Sequence, residues 1–123
     1  MKPHQKLIVW ELSVQFVKEI YLITGSFPEK ERFGIISQIQ RSAISISANI
    51  AEGAGRQSSK EFIHFLYIAL GSLSELDTLI ILSQSIGYIT QTEGQILQAK
   101  LDRIAKLLGG LIRKKKLQLS GDN

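Results

Sequence analysis

The chain has 123 residues, enough for one domain with a modest core, and its 44% hydrophobic and 21% charged content is that of an ordinary soluble globular protein. It has no cysteine, which excludes disulfides and thiolate metal sites and fits a reducing compartment. The N-terminal Met-Lys-Pro-His-Gln-Lys shows no signal-peptide pattern, and uninterrupted apolar runs reach only about five residues, so a cytoplasmic protein without a membrane span is expected.

The spacing of apolar residues predicts four helices, over about 5–24, 28–54, 59–86 and 92–117, with 118–123 as a disordered tail. In the first, Leu7, Trp10, Val14, Val17 and Tyr21 form one row and Ile8, Leu12, Phe16, Ile20 and Ile23 a second. Two rows exceed what one neighbouring helix covers, so a bundle core and a subunit contact are both expected, with Trp10 an anchor rather than a ligand platform. Gly25 is read as its C′ residue. Pro28 is expected at the first position of the second helix, with Glu29 and Glu31 in the first turn. That helix ends at Gly53 and Gly55, the latter expected in the left-handed region.

Ser58-x-x-Glu61 reads as a capping box for the third helix, whose seam is Phe62, Leu66, Ala69, Leu73, Leu76 and Ile80. Gly71 in its middle suggests a close helix crossing, since Gly there costs about 1 kcal/mol relative to Ala. Gly87 stops the helix. Thr90-x-x-Glu93 caps the fourth, with Leu97, Leu101, Ile104, Leu108 and Leu111 as its seam. Gly109-Gly110 is expected to kink or fray it. No segment alternates with period two, so no sheet is expected.

The second helix carries two stripes. Ile36, Ile39, Ala43, Ile46 and Ile50 form its apolar seam, and Gln38, Ser42, Ser45, Asn49, Glu52 and Arg56 a polar one about 100° away. Small hydroxyls, an amide and a Glu/Arg pair suit close approach by another polypeptide. Arg41, Ser45, Asn49, Glu52 and Arg56 are read as a polar network or interface that fixes the register of helices or subunits. The other reading is a site for a phosphate or a partner.

The net charge is +4, but residues 100–116 alone carry +6, from Lys100, Arg103, Lys106, Arg113, Lys114, Lys115 and Lys116 against Asp102. Lys100, Arg103 and Lys106 follow at spacings of three, and the other four spread around the helix end. These seven residues are the candidate nucleic-acid-binding set. The alternative is a solvated helix C-terminus whose cations complement the macrodipole. No aromatic residue is interleaved among them, which points to phosphate contacts rather than base stacking.

Catalytic and cofactor chemistry finds little material. Glu61-x-x-His64 has the spacing of a di-iron ligand pair, but a single copy with only His4 elsewhere does not make the set. Gly53-Ala54-Gly55 follows a helix rather than a strand and lacks the third glycine of a dinucleotide loop. No enzyme activity, metal or cofactor is expected.

Phe27-Pro28-x-x-Glu31, Gln38-x-x-Arg41-Ser42-Ala43-x-Ser45-Ile46-x-x-Asn49-Ile50-Ala51-Glu52-Gly53 and Phe62-x-x-Phe65-Leu66-x-Ile68-Ala69-x-Gly71-Ser72-x-x-Glu75 resemble the 23S rRNA intervening-sequence protein family. That family is related to the accessory variability determinant protein of diversity-generating retroelements. The resemblance implies a homopentameric four-helix bundle with no established enzymatic activity, and a reverse transcriptase or other nucleic-acid enzyme as partner. The expectation is thus an all-α, antiparallel up-down-up-down four-helix bundle. Functionally it is a non-enzymatic homo-oligomer, an adaptor with a basic surface for RNA, DNA or a nucleic-acid enzyme. The alternative is a purely structural or protein-binding oligomer.

Overall fold

The structure is a computed structural model, described here for residues 1–121. It contains four helices, α1 (Ile8–Thr24), α2 (Ile35–Ala54), α3 (Ser59–Ile86) and α4 (Gln91–Gly121), and two short 3₁₀ turns at Pro3–Lys6 and Glu29–Glu31. Each helix packs on the next, and α4 returns to α1. Consecutive partners run antiparallel. Thr24 meets Gln40 across α1 and α2, and Ser45 meets Ser72 across α2 and α3. Asp77 and Tyr67 on α3 meet Gln98 and Lys116 on α4.

The core is a continuous aliphatic column. Ile50, Leu66, Ala69, Leu76 and Leu108 are fully enclosed, with Ile39, Ile46, Leu101 and Ile104 beside them. Burying each large side chain stabilises the fold by about 1.5–3 kcal/mol. The seams of α2, α3 and α4 lie where their periodicity puts them, except that Ile112 rather than Leu111 ends the buried row of α4. That of α1 does not: its buried row is Val9, Ser13, Phe16, Ile20 and Thr24, lying between the two apolar rows of the sequence. Ser13 and Thr24 enter the core because each hydroxyl donates within its own helix, to the carbonyls of Val9 (2.6 Å) and Ile20 (2.8 Å). A hydroxyl satisfied in this way carries little desolvation cost, so it can occupy a position that polarity alone would assign to the surface.

Several boundaries differ from the sequence reading. Pro28 does not open α2. It precedes the 3₁₀ turn, and α2 begins only at Ile35, because Gly34 (φ −107°, ψ −116°) leaves the helical region. Glu29 and Glu31 therefore belong to the connection. Gly25 and Gly55 are both right-handed (φ −60° and −82°), and among the described residues the left-handed cap is Gly87 alone (φ 95°). Gly109-Gly110 does not interrupt α4, which runs helical through Gly121. The expected disordered tail is thus helical over 118–121, and 122–123 lie outside the described residues.

The capping box at Thr90 is reciprocal. Glu93 N–H donates to Thr90 Oγ1 (3.1 Å) and Thr90 N–H to Glu93 Oε1 (2.8 Å). At Ser58 only the forward bond is made, from Glu61 N–H to Ser58 Oγ (3.1 Å); the Glu61 carboxylate accepts from the Ser58 hydroxyl instead.

Close helix approach falls on different glycines from the one expected. A Cβ on Gly71 would meet nothing within 4 Å. A Cβ on Gly53 would lie 2.8 Å from Phe65 Cβ and 2.9 Å from Phe62 Cδ1, so Gly53 sets the distance between α2 and α3.

The two connections at the opposite end are tied together. Tyr88 packs its ring on Phe27 (5.2 Å between centroids) and donates its hydroxyl to Glu31 Oε2 at 2.7 Å. That hydrogen bond, aided by desolvation, raises the Tyr88 phenol above its ordinary 10.0. A raised folded-state pKa favours the protonated phenol. The associated stability is complete below pH 10 and is lost as pH climbs through the higher folded value. An ultraviolet difference titration is expected to show a tyrosine component above the ordinary range, absent from Tyr88→Phe.

Candidate functional site

The antiparallel order brings the start of α1, the α2–α3 turn and the end of α4 to one pole. Lys6, Arg56 and Lys115 line a single open cavity there. Lys60 in the first turn of α3 and Arg113, Lys114 and Lys116 on α4 add to the same end. The acidic residues of the α2–α3 turn are already engaged, Glu52 with Arg56 (2.6 Å) and Glu61 with Ser58. At the other pole stand Glu29, Glu31 and Glu93 beside Lys30 and Arg32. In an antiparallel bundle the helix dipoles largely cancel. The side chains therefore set the polarity, and one end is basic.

The seven predicted cations divide. Lys100 does not contribute a free charge, because it is paired with Glu19 of α1. Lys115 lies over the Phe62 ring (5.3 Å) and donates to Gln118 Oε1. Lys116 lies over the Tyr67 ring (5.3 Å) and donates to its hydroxyl (2.8 Å). Arg103, Lys106, Arg113 and Lys114 are exposed and have no ion-pair partner among the described residues. At about 100° per residue these four fall within a sector of about 100° on the outer face of α4.

The contacts of Lys115 and Lys116 also explain why the end of α4 is ordered: beyond Ile112 the helix has no buried residue, and α3 aromatics hold it instead. Sequence reading found no aromatic residue among the cations because it looked along α4 alone. Phe62 and Tyr67 reach Lys115 and Lys116 from α3, and Arg56 of the preceding turn stacks on Phe65 at 5.0 Å. Lys6 and Lys60 were missed for the same reason, although the short turns already implied that these segments share a pole.

The polar stripe of α2 faces the rim of α3 and splits into three parts. Asn49 donates to the carbonyl and hydroxyl of Ser45 (2.8 and 3.0 Å), and Ser45 Oγ is 2.8 Å from Ser72 Oγ, so this half-buried group joins the two helices. Glu52 and Arg56 form an exposed i, i+4 pair rather than an extension of it. Such a pair contributes about 0.3–0.5 kcal/mol, too little to set helix register. Arg41 is exposed and lines a shallow groove with Gln38, Ser42, Ser45 and Glu75, which brings together polar residues of the two sequence motifs on α2 and α3.

His64 is exposed against the edge of Phe65 (5.4 Å), and among the described residues no three His, Cys, Asp or Glu side chains come close enough to hold a metal ion.

The outer face of α3 is the other unusual surface. Tyr67, Ile68, Ile81, Leu82 and Ile86 are 38–54% exposed. Ile68, Gly71, Glu75, Thr78 and Leu82 repeat at 3, 4, 3, 4, a second seam pointing away from the core. By length and composition α3 is apolar enough to cross a membrane, and only 33% of its most apolar window is buried. Counting uninterrupted apolar runs missed this, because isolated polar residues break them. The inner row of α3 is nonetheless part of the bundle core.

No curated protein matches the chain. It is similar to a crystal structure from Bacteroides thetaiotaomicron, a protein of unknown function from the S23 ribosomal protein family. The two are 32% identical, with a TM-score of 0.80, and the match covers 92% of this chain and 99% of that one. The family model of the 23S rRNA-intervening sequence protein matches residues 5–110, which takes in all of α1, α2 and α3 and α4 up to its last cluster of cations. The chain therefore belongs to the 23S rRNA-intervening sequence protein family.

Proposed function

We propose that the protein is a non-enzymatic homo-oligomeric adaptor whose basic pole engages the phosphate backbone of RNA or DNA, alone or together with a nucleic-acid enzyme such as a reverse transcriptase. The observation that carries this reading is the gathering of cations from three segments at one end of the bundle, with unpaired Arg103, Lys106, Arg113 and Lys114 along the adjoining face of α4. Oligomerisation would repeat the patch in every subunit, and a ring of cations binds polyanions by counterion release without reading bases. At low salt the protein is expected to retain duplex and single-stranded RNA and DNA alike. Replacing Arg113, Lys114, Lys115 and Lys116 by Gln should weaken retention by about 10–100-fold while the helical circular dichroism persists. Retention that ignores the four substitutions contradicts the reading.

The exposed apolar residues on the outer face of α3, Ile68 and Leu82 among them, support the oligomer and also favour a second reading, a purely structural or protein-binding assembly. The family resemblance implies five copies. Ile68→Lys combined with Leu82→Lys places two charges on that face without touching the core. The wild type is expected to scatter light as an oligomer and the double variant as a folded monomer. A wild type that is monomeric at micromolar concentration removes the oligomer from both readings.

A further inference from the structure

We propose that the cavity at the basic pole binds a nucleoside phosphate, one bearing a terminal phosphomonoester. The cavity has a volume of about 430 Å³, within the range of small-molecule sites. It has two kinds of wall. Pro3, Leu7 and Phe62 supply an apolar side, and Lys6, Arg56 and Lys115 a cationic one.

The charge matches this ligand class. Three cationic side chains line the cavity against the carboxylates of Glu52 on Arg56 and Glu61 on Ser58, so positive charge is in excess. A phosphomonoester carries about −1.5 to −2 near neutral pH. The donors also remain available. Among the described residues Glu52 is the only carboxylate paired with Arg56, leaving guanidinium N–H groups to spare. Lys6 has no ion-pair partner among the described residues, and the turn bearing it is fixed by a hydrogen bond from Lys2 N–H to Gln5 (2.8 Å) and by His4 against Trp10 (4.8 Å). Lys115 is positioned by Phe62. Cations facing an apolar wall suit a ligand with an anionic end and a flat, weakly polar ring.

Two sources carry this chemistry: a free nucleotide and the phosphorylated end of a nucleic-acid strand. Neither needs the outer cations of α4, so the site can fail while backbone binding holds, and the reverse.

The test is a nuclear magnetic resonance titration of the full chain with AMP, adenosine and inorganic phosphate, and with a trinucleotide bearing either a 5′-phosphate or a 5′-hydroxyl. Amide shifts centred on Lys6, Ser59, Phe62 and Lys115 are expected with AMP or the phosphorylated trinucleotide, at least about tenfold stronger than with adenosine or phosphate alone. Stronger binding of AMP identifies a free nucleotide, and stronger binding of the phosphorylated trinucleotide a strand end. Lys6→Gln with Lys115→Gln should weaken either by at least about tenfold, whereas Lys30→Gln with Arg32→Gln at the other pole should not. Absence of these shifts, shifts centred elsewhere, or AMP binding no better than adenosine together with equal binding of the two trinucleotides overturns the proposal.

Discussion

Gly53→Ala is expected to destabilise the bundle by about 1–3 kcal/mol, and Gly71→Ala to leave it unchanged or up to about 1 kcal/mol more stable. In an exposed helix both changes would be favourable, since Ala restricts the unfolded chain and favours helix. The difference is what the new methyl meets. At Gly53 it would sit 2.8 Å from Phe65 Cβ and 3.2 Å from the Phe62 carbonyl, atoms fixed to the α3 backbone that no rotamer change can move. The helices must then separate by roughly 1 Å to restore an ordinary carbon contact near 3.8 Å. At Gly71 no atom lies within 4 Å. Thermal unfolding of the two variants checks the signs, with Gly53→Ala melting roughly 5–10 °C lower. Should Gly71→Ala keep its stability but lose assembly, the open space at Gly71 is filled by another copy.

Leu108→Ala carries the larger expected loss, about 2–5 kcal/mol. Leu108 is fully enclosed, and Ile112 is the last buried residue of α4 after it. Truncation would leave a cavity one turn before the cations at 113–116. Stability would fall, and the end of α4 would lose much of its attachment to the bundle, leaving the contacts of Lys115 with Phe62 and Lys116 with Tyr67. Denaturant unfolding measures the first effect, and hydrogen exchange at the amides of 113–118 the second, with protection there expected to drop more than at Leu66 or Leu76. Equal loss throughout would mean that the helix end is not held through Leu108.

Much of the architecture is legible in the sequence because aliphatic periodicity in α2, α3 and α4 coincides with burial. The failures share a physical cause. Ser13 and Thr24 are polar yet buried, because a hydroxyl can satisfy itself on its own helix. Gly34 rather than Pro28 decides where α2 starts, and nothing in the local composition ranks one above the other. The candidate site was only half legible. The cations of α4 were visible as a run, but which of them are free was not. The pairing of Lys100 with Glu19 spans 81 positions and follows from α1–α4 packing. The union of Lys6, Arg56 and Lys115 likewise exists only once the chain has reversed direction three times.

The claim at the centre of this account is that the basic pole and the adjoining face of α4 form a phosphate-binding surface. The most direct measurement is the affinity for a short DNA duplex as a function of salt, for the wild type and for the variant with Gln at 113–116. Log affinity is expected to fall linearly with log salt, losing about 0.9 in slope for each phosphate contact removed, so that the variant has the flatter line. No binding at low salt, or two lines of equal slope, would contradict it.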